Sequence, residues 1–267
     1  LARLMCGAAI GALAMAGLSS AALAAAGDEC VKVLGYEWSG EKQSMDPADM
    51  HSGDDAYHTF AVYNRLVDID DNFNALPELA TEWGVSDDGL TWTFKLRDGV
   101  KFHSGKDFSS ADVVYSFKRL KDPAIKAPYA WRAGNIKELR APDPTTVEYE
   151  LEEPYSELLL QLTMFTNVIH NKESVETLGK DYGIKGIDGT GPWCFESWQP
   201  RTEIVLKRHD AYKWGPSMYK NKGPVKFEKL SIKIVPEDAS RVAAIMGGQF
   251  DLTGDPYRGW RKNRQPH

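Results

Sequence analysis

The sequence predicts a mixed α/β fold, with hairpins and single helices set around a mixed β-sheet, and three observations carry that expectation. Apolar residues alternate at Leu90, Trp92, Phe94 and Leu96, with Thr91, Thr93 and Lys95 between them, the period of a half-buried strand. Val113, Phe117 and Leu120 recur at helical spacing. Segments of the two kinds interleave along the chain, the pattern of strands and helices packed in layers.

In chain order, Val31-Lys32-Val33-Leu34 reads as a short first strand, and Ser44-Met45-Asp46-Pro47 as the turn ending its following loop. Tyr57, Phe60, Tyr63 (or Asn64) and Val67 predict a helix over 54–67. Asp87-Asp88-Gly89 turns into the alternating strand, and Arg97-Asp98-Gly99 turns out of it into Val100-Lys101-Phe102, predicting a hairpin. Ser109, three positions before Asp112, forms a variant capping box for the helix carrying Val113. Asp143-Pro144 separates two strands at 136–140 and 147–151. Pro154 starts a helix carrying Leu158, Leu159, Leu162 and Phe165. Strands are expected at 204–206 and 230–234. Pro236 opens a last helix that Gly247-Gly248 stops, and Phe250-Asp251-Leu252 returns as a strand. Trp83, Trp92 and Phe94 are expected in the core.

The 267 residues are 42% hydrophobic and 26% charged, enough for one large core or two modest ones. With 38 acidic against 32 basic residues, the formal charge of -6 favours solubility and offers no basic surface for nucleic acid. Arg3 is the only charge before Asp28, and an Ala-, Gly- and Leu-rich stretch ends in Ala22-Leu23-Ala24. That is the pattern of a secretory signal peptide over 1–24, with cleavage as late as 26, rather than a membrane anchor. Cys6 leaves with the signal. Cys30 and Cys194 then remain, as a disulfide in an oxidising compartment or as two buried thiols, and spacing does not choose between them.

No catalytic constellation or cofactor loop emerges, and no metal site is expected. The six histidines, His51, His58, His103, His170, His209 and His267, include no metal-binding i, i+4 pair with an intervening Glu. His103 reads as a structural loop residue. Gly186–Pro192 leads into a strand, which excludes a dinucleotide loop. Glu152-Glu153 and Asp68-Ile69-Asp70-Asp71 read as solvated loop charges.

Pro77-Glu78-Leu79-Ala80-Thr81-Glu82-Trp83, the block Ser86-Asp87-Asp88-Gly89-Leu90-Thr91-Trp92-Thr93-Phe94, its continuation Arg97-Asp98-Gly99-Val100-Lys101-Phe102-His103-Ser104-Gly105, and Phe108-Ser109-Ser110-Ala111-Asp112-Val113-Val114 closely resemble one known signature. It is that of the family 5 extracellular solute-binding proteins, receptors of bacterial ABC importers. Ser44-Met45-Asp46-Pro47, Gly189-Thr190-Gly191-Pro192-Trp193 and the stretch 241–252 agree with it.

The resemblance implies a periplasmic-binding-protein-like lobe over 25–252, with a subdomain inserted at about 55–185 and the second lobe missing. Residues 253–267 read as an irregular tail, with a truncated or out-of-frame ending favoured over a natural flexible one. By the same resemblance, the loop after the first strand, with Tyr36, Glu37 and Trp38, faces a ligand crevice. Tyr129 and Trp131 lie in a loop that can reach it. Core or rim packing of these aromatics stays open as the alternative. The implied role is capture of an oligopeptide or other small polar solute in the periplasm, by a monomer without cofactor, for a membrane permease. A non-functional truncated fragment and, less favoured, a secreted hydrolase are the competing readings.

Overall fold

The computed structural model describes residues 33–38, 44–50 and 56–253, with side chains described over 44–50 and 58–253. The elements run β1 (Val33–Trp38), α1 (Ala56–Val62), β2 (Val67–Ile69), β3 (Ala75–Pro77), β4 (Ala80–Val85), β5 (Thr91–Leu96), α2 (Ser110–Lys121), β6 (Ile136–Asp143), β7 (Thr146–Leu151), α3 (Leu158–Leu162), α4 (Lys172–Leu178), β8 (Trp193–Gln199), β9 (Glu203–Arg208), β10 (Lys229–Ile234), α5 (Asp238–Gly247) and β11 (Leu252–Thr253).

A four-stranded antiparallel sheet, ordered β4-β5-β7-β6, comes wholly from the middle of the chain. The alternation of β5 buries Phe94 and Leu96, while Trp92 packs half-buried against the same core. Helix α2 covers the sheet with Val113, Phe117 and Leu120, and the Phe117 ring meets Tyr149 edge-on at 5.4 Å. Full burial of side chains this size contributes about 1.5–3 kcal/mol each. The Asp112 carboxylate takes the Ser109 amide at 3.0 Å and the Ser109 hydroxyl at 3.1 Å, holding the start of α2. Lys118, Arg119 and Lys121 complement the helix dipole at its other end. Pro123 then keeps Asp122 extended.

The second sheet is mixed, in the order β11-β1-β10-β9-β8. β1 lies between β10 and β11 and is parallel to both, while β10, β9 and β8 run antiparallel in succession. Ile204, Leu206, Ile232 and Trp193 bury one face of it. The two sheets meet where Gly189-Thr190-Gly191 runs against the end of α1. A Cβ on Gly189 would stand 2.2 Å from the Val62 carbonyl oxygen, and that oxygen accepts the Gly191 amide at 2.9 Å.

Several expected elements end elsewhere, for tertiary reasons. The helix over 54–67 stops at Val62, because Gly191 claims the Val62 carbonyl while Asn64 and Arg65 pair with the 167–169 segment and with Glu78. Val67 belongs to β2. Val100–Phe102 forms no hairpin with β5, whose partners are β4 and β7; Val100 and Phe102 are core residues, and Lys101 makes only an isolated bridge to Asp107. The helix after Pro154 is confined to Leu158–Leu162, and Phe165 lies beyond it. Asp68 is no solvated loop charge: it is buried in β2 and paired with Arg65. Tyr36, Glu37 and Trp38 lie within β1, not in a loop after it, because β1 pairs with parallel partners over all six of its residues. Val31, Lys32, Cys6, Cys30, the signal segment and the tail after Thr253 lie outside the described residues.

Candidate functional site

The carboxyl ends of β1, β10 and β11 lie together along one edge of the five-stranded sheet, with Trp38 opposite Ile234 and Glu37 flanked by Lys233 and Thr253. In open sheets, parallel strands present their carboxyl ends to the crevice where ligands bind, because the connecting loops diverge there. Tyr36, Glu37 and Trp38 therefore occupy the half of β1 that reaches this edge.

Beside them the edge is fixed by polar contacts. The Ile234 amide donates to the Thr202 carbonyl at 3.0 Å, and Lys233 pairs with Glu203 at 2.9 Å. Burial raises the Glu203 carboxyl, but hydrogen bonds from Lys233 and Ser231 outweigh it and hold the group below its ordinary value. Where β10 turns into α5, the buried Arg241 guanidinium donates to the Val235 and Pro236 carbonyls at 2.7 and 2.9 Å. That turn is thereby a rigid boundary of the edge.

Tyr129 and Trp131 belong to the other unit. Tyr129 caps a 3-10 turn at Ala130–Ala133, Trp131 lies within it, and the turn packs on α2 and α3. The Arg132 guanidinium lies 4.5 Å from the Trp131 ring and 5.6 Å from that of Tyr129, and it donates to the side-chain Oε1 of Gln161 at 2.6 Å. Tyr129 meets Phe165 edge-on at 5.5 Å and is half-buried, whereas Trp131 is 55% exposed. The expected site residues thus form two groups, one on each sheet unit.

Between the units lies a cavity of ≈ 560 Å³, lined among others by Phe60, Arg65, Glu78, Tyr212 and Tyr219. Its polar groups are engaged with one another. Arg65 donates to Glu78 at 3.0 Å, to Asp68 at 2.7 Å and to the Thr163 carbonyl at 2.7 Å. Asn64 donates to Glu78 at 2.7 Å and accepts from Thr190 and the Trp214 indole at 3.0 and 3.2 Å. Burial raises the Glu78 carboxyl, against the opposing pull of Arg65. The arrangement is a structural knot.

The buried imidazole of His170 is held neutral. His170, fully enclosed, has its pKa pushed down to about 3 by burial and by Arg119, while its Nδ1 lies 2.9 Å from the Tyr182 hydroxyl. That hydroxyl is 2.8 Å from the hydroxyl of Tyr63. Two phenols and an imidazole are thus linked in the interior. A set of residues able to hold a metal does occur. His103, Cys194 and His209 offer one ligand atom each, all within 4.8 Å of one another. Sequence reading missed them because they come from a loop, from β8 and from the end of β9, with no local spacing to betray them.

Residues 74–264 match the family model of the bacterial extracellular solute-binding proteins, family 5 middle region. A glutathione-binding protein, GsiB of Escherichia coli, is 30% identical over 238 residues, which are 89% of this chain and 44% of that protein. Among solved structures, the Helicobacter pylori periplasmic binding protein DppA in complex with the peptide STSA superposes with a TM-score of 0.76 at 29% identity, over 86% of this chain and 48% of that one. AgaA of A. tumefaciens R10, in complex with agropinic acid, gives 0.73 at 28% identity, over 82% and 43%. The chain spans under half the length of these relatives.

Proposed function

Because this chain belongs to the bacterial extracellular solute-binding proteins of family 5, we propose that it serves as the capture component of an ABC importer. It would bind a peptide-like or other small polar solute in the periplasm and deliver it to a membrane permease. The observation that carries this reading is the edge where three parallel strands end together, with Tyr36, Glu37 and Trp38 leading into it. Aromatic residue types suit the enclosure of a small polar ligand, and backbone groups at strand ends suit hydrogen bonds to it. Tyr129 and Trp131 are proposed as a second contact, on the unit that the chain inserts at about 55–185. Export by the segment 1–24 is part of the same proposal.

The test is a thermal-shift and calorimetric screen of these 267 residues, using glutathione, short peptides and opine-type sugar conjugates, the ligand classes of the relatives. Binding raises the melting temperature by mass action. Tyr36→Ala and Trp38→Ala should each weaken a positive hit at least about tenfold, equivalent to about 1.4 kcal/mol. A screen without any stabilising ligand, or one whose hits are indifferent to both substitutions, rejects the proposed site.

A further inference from the structure

We propose that His103, Cys194 and His209 form a binding site for a divalent cation of the zinc class, with three protein ligands and a fourth position open to solvent or another donor. The site lies at the opposite edge of the five-stranded sheet from the carboxyl end of β1. Cys194 stands across from Lys207, which pairs with Lys229, which in turn pairs with Val33 at the start of β1. His209 follows directly after β9. His103 reaches the same place from the loop after β5.

Three features make this more than a chance meeting of side chains. First, the donor set is one thiol and two imidazoles, which suits borderline-soft metals and not calcium or magnesium. Second, the rings are already oriented. His103 Nε2 and His209 Nδ1 each donate to the same Gly191 carbonyl oxygen, both at 3.0 Å. A backbone carbonyl holding one nitrogen is how metal-binding histidines are fixed in tautomer and direction. Each ring keeps a lone pair on its other nitrogen: His103 Nδ1 is held only by the Gly189 amide at 3.4 Å. Third, the buried Asp188 carboxylate accepts the amide of Ser104, the neighbour of His103, at 3.2 Å and so brings a negative charge beside the site.

Bonds of about 2.0–2.3 Å around a tetrahedral ion place neighbouring donors roughly 3.3–3.7 Å apart, so the three must close by about an ångström. A thiol binds as the thiolate, so the cation must displace the Cys194 proton. One sulfur–metal bond forms, one S–H bond breaks, and one proton leaves for solvent per cation bound. The neutral imidazoles release none. Once bound, the ion would tie the loop after β5 to β8 and to the end of β9.

The test uses the full chain with Cys6→Ser and Cys30→Ser, which leaves Cys194 as its one cysteine. Cobalt(II) should bind with one equivalent, giving a near-ultraviolet thiolate-to-cobalt charge-transfer band and intense visible bands of tetrahedral coordination, all bleached by zinc. Adding Cys194→Ser should abolish the charge-transfer band, and adding His209→Gln should weaken binding at least about tenfold. In the unsubstituted chain, one equivalent of zinc should protect Cys194 from alkylation, a readout that needs no variant to fold. Absence of the band, its survival in Cys194→Ser, unchanged affinity in His209→Gln, or an unprotected Cys194 would each overturn the site. So would purification of the natural chain with Cys194 already bonded to Cys30. The spectrum reports on this site whether or not any solute binds at β1.

Discussion

The indole N–H of Trp214 donates to the side-chain oxygen of Asn64, a residue that stands 150 positions earlier in the chain. Asn64 simultaneously bonds Glu78 and Thr190, so one amide ties α1, the segment entering β4 and the segment entering β8.

Asn64→Leu keeps the volume roughly constant and strips those bonds. It leaves the Glu78 carboxylate and the Thr190 hydroxyl each short of a partner, at about 1–3 kcal/mol per buried group. A loss of about 3 kcal/mol in urea unfolding, with the slope unchanged, is the expected result.

Arg65→Met abandons Asp68 and Glu78, both buried, and should cost about 3–5 kcal/mol. Glu78→Gln introduced in the same chain removes one of the stranded charges. The double variant should therefore be more stable than Arg65→Met alone, and equal stabilities in a double-mutant cycle would show that Glu78 is not the partner that matters.

His170 gives stability a dependence on acid. Its folded pKa, about 3, lies below the unfolded value of about 6.5, so the unfolded chain binds the proton first. Its contribution is complete above about pH 6.5 and is lost as pH falls through the interval down to about 3, at about 1.4 kcal/mol per pH unit. Chemical denaturation between pH 7 and 4 in the presence of a chelator should show this slope, reduced in His170→Gln.

Gly191→Ala should destabilise by about 2–3 kcal/mol, since overpacking is costly where backbone cannot yield. The new Cβ would meet the Val62 carbonyl carbon at 2.6 Å and the Ala61 carbonyl oxygen at 2.7 Å. A melting temperature equal to that of the natural chain would mean the end of α1 gives way more easily than its packing suggests.

What local pattern could encode was legible. The alternation of 90–96, the Ser109–Asp112 cap and the Asp143-Pro144 turn each depend on residues within a few positions of one another, and each stands where expected. The errors arose where a distant segment competes for the backbone. Helical spacing continues through Tyr63 and Val67, yet Gly191 takes the Val62 carbonyl and the helix stops. Tyr36 to Trp38 read as a loop because nothing nearby pairs with them; their partners lie at 232–234 and 252–253. His103, Cys194 and His209 were invisible for the same reason: only the packed sheets bring them together. Asp68 looked like one more charge in an acidic run, and its burial follows from Arg65, three residues before it.

The pairing of β1 also sets a timetable on the ribosome. The strands β4 to β7 find their partners within one short stretch and can assemble as soon as it emerges. β1 emerges first and has no neighbour until β10 is made. At roughly 5–20 residues per second, that interval is about 10–40 s. For so long the oldest strand of the sheet stays unpaired, and a chain whose first strand folds last is still threadable while its synthesis is under way.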